Sequence, residues 1–376
     1  MVSRLAIVAA ALVVPVEAAA QDTTMVQGGI FQRPFIASMG RTSVGGYAEG
    51  HGNYFVTDGI GEGWSMELRR FNIFLFSSVG RRIRFVSELE FEHGTEEIEL
   101  ETALLDFVIN PSAVVRAGII LPPIGAFNVD HDSPRYDVVE RPLVATEIIP
   151  ATLSEVGFGL HGRLAPGGLT VSYDAYLTNG LGDGIILNET GRTRLAAGKG
   201  ESRFEEDNNG SPAFSGRVAA HARGLGEIGL SMYSGIYNRY RIDGAVVEKK
   251  RRVSLYALDL EGNIGPIEAR GEAALARIDV PESLGEVFAE RQWGFYLDLG
   301  MPIWRPRIRG LDRPVVSAVV RLERIDLNQG VFASTGLDRG DETSAFTVGL
   351  SFRPIAGTVF RANYRRECFR DVLGND

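Results

Sequence analysis

The side chains best suited to chemistry are scattered along this chain. Five histidines stand at 51, 93, 131, 161 and 221, and no two share the close spacing of a metal-ligand pair. His131 lies between Asp130 and Asp132, a trio that could hold a cation in a loop. Ser154, His161 and Asp174 are the residue types of a nucleophilic triad, but no nucleophile motif surrounds them. Gly180, Gly182 and Gly184 imitate a phosphate loop yet open no helical pattern, so the dinucleotide reading fails on context. Asp183 and the Asp207-Asn208-Asn209 run could bind surface Ca²⁺, with solvated loop tips the preferred reading. The lone Cys368 excludes a disulfide framework. The expectation is therefore no enzyme, no metal centre and no cofactor.

The charged residues show more order. In 82–93, Arg82, Arg84, Glu88, Glu90 and Glu92 oppose Ile83, Phe85, Leu89 and Phe91. In 169–178, Leu169, Val171, Tyr173, Ala175 and Leu177 oppose Thr170, Ser172, Asp174, Tyr176 and Thr178. In 342–352, Phe346, Val348, Leu350 and Phe352 oppose Ala345, Thr347, Gly349 and Ser351. A repeat of two is a strand with one apolar and one wet face.

About fifteen such strands are predicted: 43–51, 67–79, 82–93, 98–109, 113–121, 156–164, 169–178, 213–223, 227–238, 252–263, 267–280, 291–303, 315–327, 343–353 and 358–370. Short Gly, Pro and Asn clusters follow every even-numbered strand and suit hairpins. Longer polar segments follow the odd-numbered ones, notably 122–155 and 179–212. Short turns at one rim and long loops at the other predict an all-β fold, a transmembrane antiparallel up-and-down barrel of about 16 strands. An even count is needed for closure. The chain reaches Asp376 six residues after the fifteenth strand, without a terminal aromatic, so the closing strand is expected to be missing or the count to be off by one.

Residues 1–20 carry Arg4, an apolar run from Leu5 to Val16 and Ala18-Ala19-Ala20, the pattern of a cleaved export signal. Residues 21–42 are expected to form an N-terminal periplasmic segment, and 43–376 the barrel. The apolar run is shorter than the roughly 20 residues of a spanning helix. With 44% hydrophobic and 23% charged residues the chain is ordered, and its net charge of −9 disfavours nucleic acid as a partner.

A charge facing lipid at mid-membrane costs about 2–4 kcal/mol for Arg or Lys, so the polar faces must turn inward. The inward set mixes signs: Arg84, Glu88, Arg217, His221, Asp259, Glu261, Glu268, Arg270, Glu272, Arg321, Glu323, Arg361 and Arg365. These charges either pair and solvate inside a wide lumen or set a field that sorts solutes. Sixteen strands leave room for a water channel. Tyr47, Tyr54, Phe55, Trp64, Tyr237, Tyr240 and Trp304 fit aromatic girdles.

Arg116-Ala117-Gly118 and Pro122-Pro123-Ile124-Gly125, followed by Val139-Glu140-Arg141-Pro142, resemble the phosphate-selective porin O and P family of Gram-negative outer membranes. The match covers about 30 residues closely. The resemblance implies a passive, solute-conducting barrel with a loop folded into its lumen, and association as a homotrimer. Residues 122–155 are the natural loop. Leu121 stands where many members carry Lys, and the chain has Lys only at 199, 249 and 250, so no lysine ladder for phosphate exists. The expected function is an outer-membrane porin for small hydrophilic solutes or ions, with outer-membrane lipid as its surroundings. Arg135, Glu140 and Arg141 of the loop would face Arg84, Glu88, Arg116 and Arg321 of the wall at a constriction. The alternatives are a sealed barrel acting as receptor or anchor, a barrel enzyme acting on lipids or envelope glycans, and a soluble periplasmic all-β protein.

Overall fold

The structure is a computed structural model that describes residues 2–10, 36–39, 42–200, 203–205, 207 and 209–373. The strands are β1 (Val2–Ala10), β2 (Ile36–Met39), β3 (Thr42–Thr57), β4 (Ile60–Ser78), β5 (Ile83–Glu92), β6 (Glu97–Asn110) and β7 (Ala113–Ile120). Then come β8 (Glu155–Leu164), β9 (Leu169–Thr178), β10 (Ala213–Ala222), β11 (Gly226–Ile236), β12 (Arg241–Ile242) and β13 (Ala245–Val246). The last are β14 (Arg252–Ile264), β15 (Ile267–Ile278), β16 (Arg291–Trp304), β17 (Val315–Asp326), β18 (Glu342–Ile355) and β19 (Thr358–Arg370). Fifteen of these match the predicted strands. Each pairs antiparallel with the next along the chain, and β12 and β13 make a separate hairpin inside a loop.

The sequence predicts a vacant sixteenth place. Here β1 fills it, running antiparallel to both β19 and β3, with Leu5 opposite Tyr364 on one side and Tyr54 on the other. Parity is the reason: β3 and β19 run the same way, so only a strand of opposite sense closes the ring. The expected export signal therefore overlaps a wall strand, and its remainder, 11–20, lies outside the described residues. So does most of the expected periplasmic segment 21–42, of which β2 pairs with the start of β3.

The polarity of the wall is inverted relative to a water-soluble protein. On β18, Phe346, Val348 and Leu350 are exposed, whereas Thr347 and Ser351 are buried. Leu105 and Phe107 of β6 point out while Asp106 between them is fully buried. The same alternation exposes Leu169 and Leu177 of β9, and Leu230 and Met232 of β11. Charged side chains fill the inside, with Glu49, Glu88, Arg217, Arg321 and Arg361 all buried. An apolar exterior that runs around the whole wall is far larger than the isolated patches of a soluble monomer.

Tight turns hold the register at one rim. Gly265 has φ 62° and precedes Pro266, the sign pattern of a II′ hairpin, and Ile264 pairs with Ile267 across it. At the other rim β3 and β4 extend well past their predicted ends. Asp58 and Gly59 both have positive φ, so the pair forms the I′ turn that a right-twisted hairpin prefers. The aromatics divide. Trp64 and Trp304 are exposed near strand ends, whereas Tyr47, Tyr237 and Tyr240 are buried and do not belong to a girdle. Tyr237 instead donates its hydroxyl to the Asp279 carbonyl at 2.7 Å, which ties two loops together.

Candidate functional site: the infolded loop and the charged lumen

The loop 122–155 leaves β7 and crosses the interior before it rejoins the wall at β8. Its entry needs Gly125, which has φ 66° and approaches the wall closely. The Gly125 amide donates to Ser231 Oγ at 2.8 Å, and the Ala126 and Phe127 amides donate to Glu272 Oε2 at 2.8 and 3.1 Å. Short 3₁₀ turns follow at Phe127–Val129 and Ser133–Arg135, then a π-helical turn at Val144–Ile148.

Inward side chains from most of the circumference hold the loop. Arg353 of β18 donates to the Pro134 carbonyl at 2.7 Å and pairs with Asp137 at 2.8 Å. Arg361 of β19 donates to the Val138 carbonyl at 3.0 Å, and Asn363 accepts from the Val139 amide at 2.8 Å. Glu323 of β17 accepts from the Leu143 amide at 2.8 Å. Glu49 of β3 accepts from Ser133 Oγ at 2.5 Å, and His131 Nε2 lies 2.9 Å from Glu101 of β6. Most of these bonds satisfy loop backbone groups that would otherwise be stranded away from water.

One side of the lumen is dry. Ile124, Val144, Ile148, Ile149 and Leu153 of the loop pack with Leu181, Ile185 and Leu195 of the loop 179–212. Both sit against Tyr233, Val253, Leu255, Ala274 and Ala276 on the inner face of β11, β14 and β15. The other side is wet. There the loop and the walls of β3 to β6 and β19 enclose a cavity of ≈ 460 Å³. Eight glutamates and five Arg or Lys side chains line it, so its balance is acidic.

The candidate residues fall into three groups. Glu140 and Arg141 line the cavity, and the Arg141 guanidinium lies 3.9 Å from Glu90, one inward position above Glu88 on β5. Glu88 is fully buried and accepts from Asn72 Nδ2 at 2.9 Å and Thr102 Oγ1 at 3.2 Å. Arg321 is also buried. It grips Asp298 through Nε and Nη2 at 2.5 and 2.6 Å and donates through Nη1 to the Glu140 carbonyl at 2.5 Å. It thus supports the loop from behind. Arg135 pairs with Asp130 at 2.5 Å and faces β15 to β17.

Arg84 and Arg116 sit elsewhere, near the tight-turn rim. Both converge on Asp106, Arg116 through two bonds of 2.8 and 3.0 Å and Arg84 at 4.0 Å. His161 Nε2 reaches the same carboxylate at 3.3 Å. This places His161 in a structural pair, and Tyr176 donates to Asp174 at 2.7 Å. Ser154 precedes β8 and stands seven residues from His161, on the order of 20 Å at strand rise. The nucleophilic triad is not assembled.

Two loop groups facing the cavity are perturbed. Burial pushes the Glu147 carboxyl up, against the pull of Arg194. Burial lowers the Lys199 ammonium, opposed by Glu99. Sequence reading missed both, together with the Glu90, Glu99 and Glu101 side of the cavity. The signal for the last was present in the alternating acids of 97–101.

The chain is similar to proteins of known structure and to one sequence relative. The anion-selective porin from Comamonas acidovorans superposes with a TM-score of 0.50 at 11% identity, over 87% of this chain and 100% of that one. OmpT of Vibrio cholerae gives a TM-score of 0.49 at 10% identity, over 100% of this chain and 91% of that one. An uncharacterized protein of Aquifex aeolicus (strain VF5) is 28% identical over 358 residues, 89% of this chain and 77% of that protein. No family model matches the chain. At such low identity the likeness to the Comamonas porin is one of fold.

Proposed function

We propose that this barrel is an outer-membrane porin through which small hydrophilic solutes and ions diffuse passively. The observation that carries this reading is the inverted wall: apolar outward and charged inward, around a loop that leaves a polar cavity on one side of the lumen. Hydrocarbon must cover the exterior, and only a closed barrel satisfies its backbone there. Ion-paired charges on the interior keep water in the remaining passage. Assembly as a homotrimer belongs to the same reading, supported by the resemblance of residues 116–142 to a porin family.

The acidic lining favours cations. A phosphate preference has little support, because the arginines of the lumen are engaged with carboxylates. Planar-bilayer recording of the purified barrel tests the reading. Stepwise conductance with a reversal potential on the cation side is expected under a KCl gradient. Arg141→Glu should move that potential further toward the cation limit. A barrel that inserts but conducts nothing overturns the porin reading. It would favour a receptor or anchor, for which the dry packing across one side of the lumen is the supporting observation.

Residues 1–20 are proposed to serve in export, on the strength of Arg4 and the apolar run that follows it. Intact mass of protein extracted from membranes reports this directly. An N-terminus at Gln21 is expected; cleavage there removes β1, so the mature barrel then needs another strand between β19 and β3, whereas an uncleaved chain keeps Val2–Ala10 in the wall.

A further inference from the structure

We propose that Glu88, Glu101 and His131 form a site for one divalent transition-metal ion of the zinc class, which clamps the infolded loop to the barrel wall. One ligand atom from each lies within 4.8 Å of the others, and all three side chains are buried. Glu88 comes from β5, Glu101 from β6 and His131 from the loop between its two 3₁₀ turns. Imidazole and carboxylate are ordinary zinc ligands, at about 2.0–2.2 Å. A tetrahedral ion holds its ligand atoms roughly 3.3 Å apart, which small side-chain rotations reach from the present spacing, with water in the fourth position.

The histidine geometry suits a metal ligand. His131 Nδ1 lies 3.1 Å from the Asn128 carbonyl, which can only accept, so this nitrogen carries a proton. The neutral ring then presents a bare lone pair at Nε2, yet Nε2 is 2.9 Å from Glu101 Oε2. At that distance a shared proton or a metal ion stands between the two acceptors, and the ligand atom from Glu88 completes a three-sided pocket for an ion. A metal-bound histidine uses its second nitrogen in this way, donating to a carbonyl that fixes the tautomer. The support behind it is rigid. Asn128 Nδ2 donates to the Pro122 and Leu153 carbonyls at 2.8 and 3.0 Å and so joins the two ends of the loop.

The surroundings agree. Asn72 and Thr102 orient the Glu88 carboxylate, as outer partners of a ligating carboxylate do. Asn72 is itself fully buried, and its Oδ1 makes no hydrogen bond. Glu90 shares the same Asn72 amide but lies 3.8 Å from Arg70 and 3.9 Å from Arg141, so that carboxylate has cations of its own. Buried carboxylates persist when paired or when they coordinate a metal. The acidic cavity gives access, because Glu101 lines it alongside Glu97 and Glu99. Asp130, the acid beside His131 in sequence, is taken by Arg135 and does not join the set. Calcium fits poorly, since it takes six to eight oxygens and this site offers a nitrogen.

Titration calorimetry on the full-length barrel, stripped with a chelator, tests the site with ZnCl₂ and with CaCl₂ as control. One saturable zinc per chain is expected, with no calcium heat. His131→Asn and Glu101→Gln should each weaken zinc by at least about tenfold, and His93→Asn should leave it unchanged. X-ray absorption at the zinc edge of the wild-type barrel gives a readout that no variant's folding affects. One imidazole nitrogen and carboxylate oxygens in a four-coordinate shell support the site. A wild-type barrel that takes no stoichiometric zinc, or an all-oxygen shell, overturns it, as does unaltered affinity in both folded variants.

Discussion

Glu272 occupies the space that a side chain at Gly125 would need: a Cβ built on Gly125 comes within 2.3 Å of the Glu272 carboxylate. Glycine's tolerance of φ 66° and its missing side chain are both used here, because the backbone must come close for the next two amides to reach Glu272. Gly125→Ala should therefore displace the loop entry. Open-channel current should become noisier and larger, and protease should cut within 122–155. Glu272→Ala should have the same sign with a smaller effect, because two amides then lose their acceptor while the backbone stays unstrained. Unchanged current noise and protease resistance in Gly125→Ala would count against this account of the entry.

Arg321 offers a sharper test of how the loop is supported. Its guanidinium holds Asp298 through two bonds and the Glu140 carbonyl through a third, with the side chain fully buried. Removing one partner of such a pair strands the other, at a cost of about 3–5 kcal/mol. Arg321→Ala should lower the urea midpoint of the barrel accordingly, and Arg321→Met with Asp298→Leu should recover much of the loss. Recovery of stability without recovery of wild-type selectivity would separate the wall's contribution from the loop's.

The strands were legible because each wall residue answers to lipid or to the lumen, which writes period two over ten residues at a time. The β3–β4 hairpin shows where that reading fell short. Gly50, Gly52, Gly61 and Gly63 broke the alternation, so 52–66 read as a gap, yet Asp58-Gly59 is a strong hairpin signal in its own right. The ion-pair partners were less legible. Arg84, Asp106 and Arg116 meet because their strands are adjacent and in register, which the strand list already allowed. Glu101 and His131 meet only because a loop folds inward by a path that no local pattern encodes.

Outward positions make a separate prediction about the surroundings of the barrel. Leu350 of β18 is 49% exposed, while the next residue, Ser351, points inward and is buried. An arginine at mid-membrane depth on the lipid face costs about 2–4 kcal/mol. Leu350→Arg should destabilise the barrel in liposomes by that amount, read from reversible unfolding. The same change should be near neutral if the barrel were soluble, where Leu350 would face water.

Acid should weaken cation preference in a definite order. Glu147 lines the cavity, and its carboxyl is held above the usual value of about 4.3 by burial, with Arg194 pulling the other way. A raised carboxyl takes up its proton first as pH falls. The lumen should thus lose one negative charge at a pH where exposed glutamates are still ionised. Reversal potentials measured from pH 8 downward should drift toward the neutral value before the ordinary carboxylate range is reached. Glu147→Gln should diminish that early drift and leave the later fall intact. The stability sign runs the same way: a carboxyl whose folded value is raised favours the folded state most below its unfolded value, and that gain is lost as pH rises through the folded one. Glu147→Gln should therefore raise stability above neutrality and change little in acid, a difference that melting temperatures on either side of the transition can read.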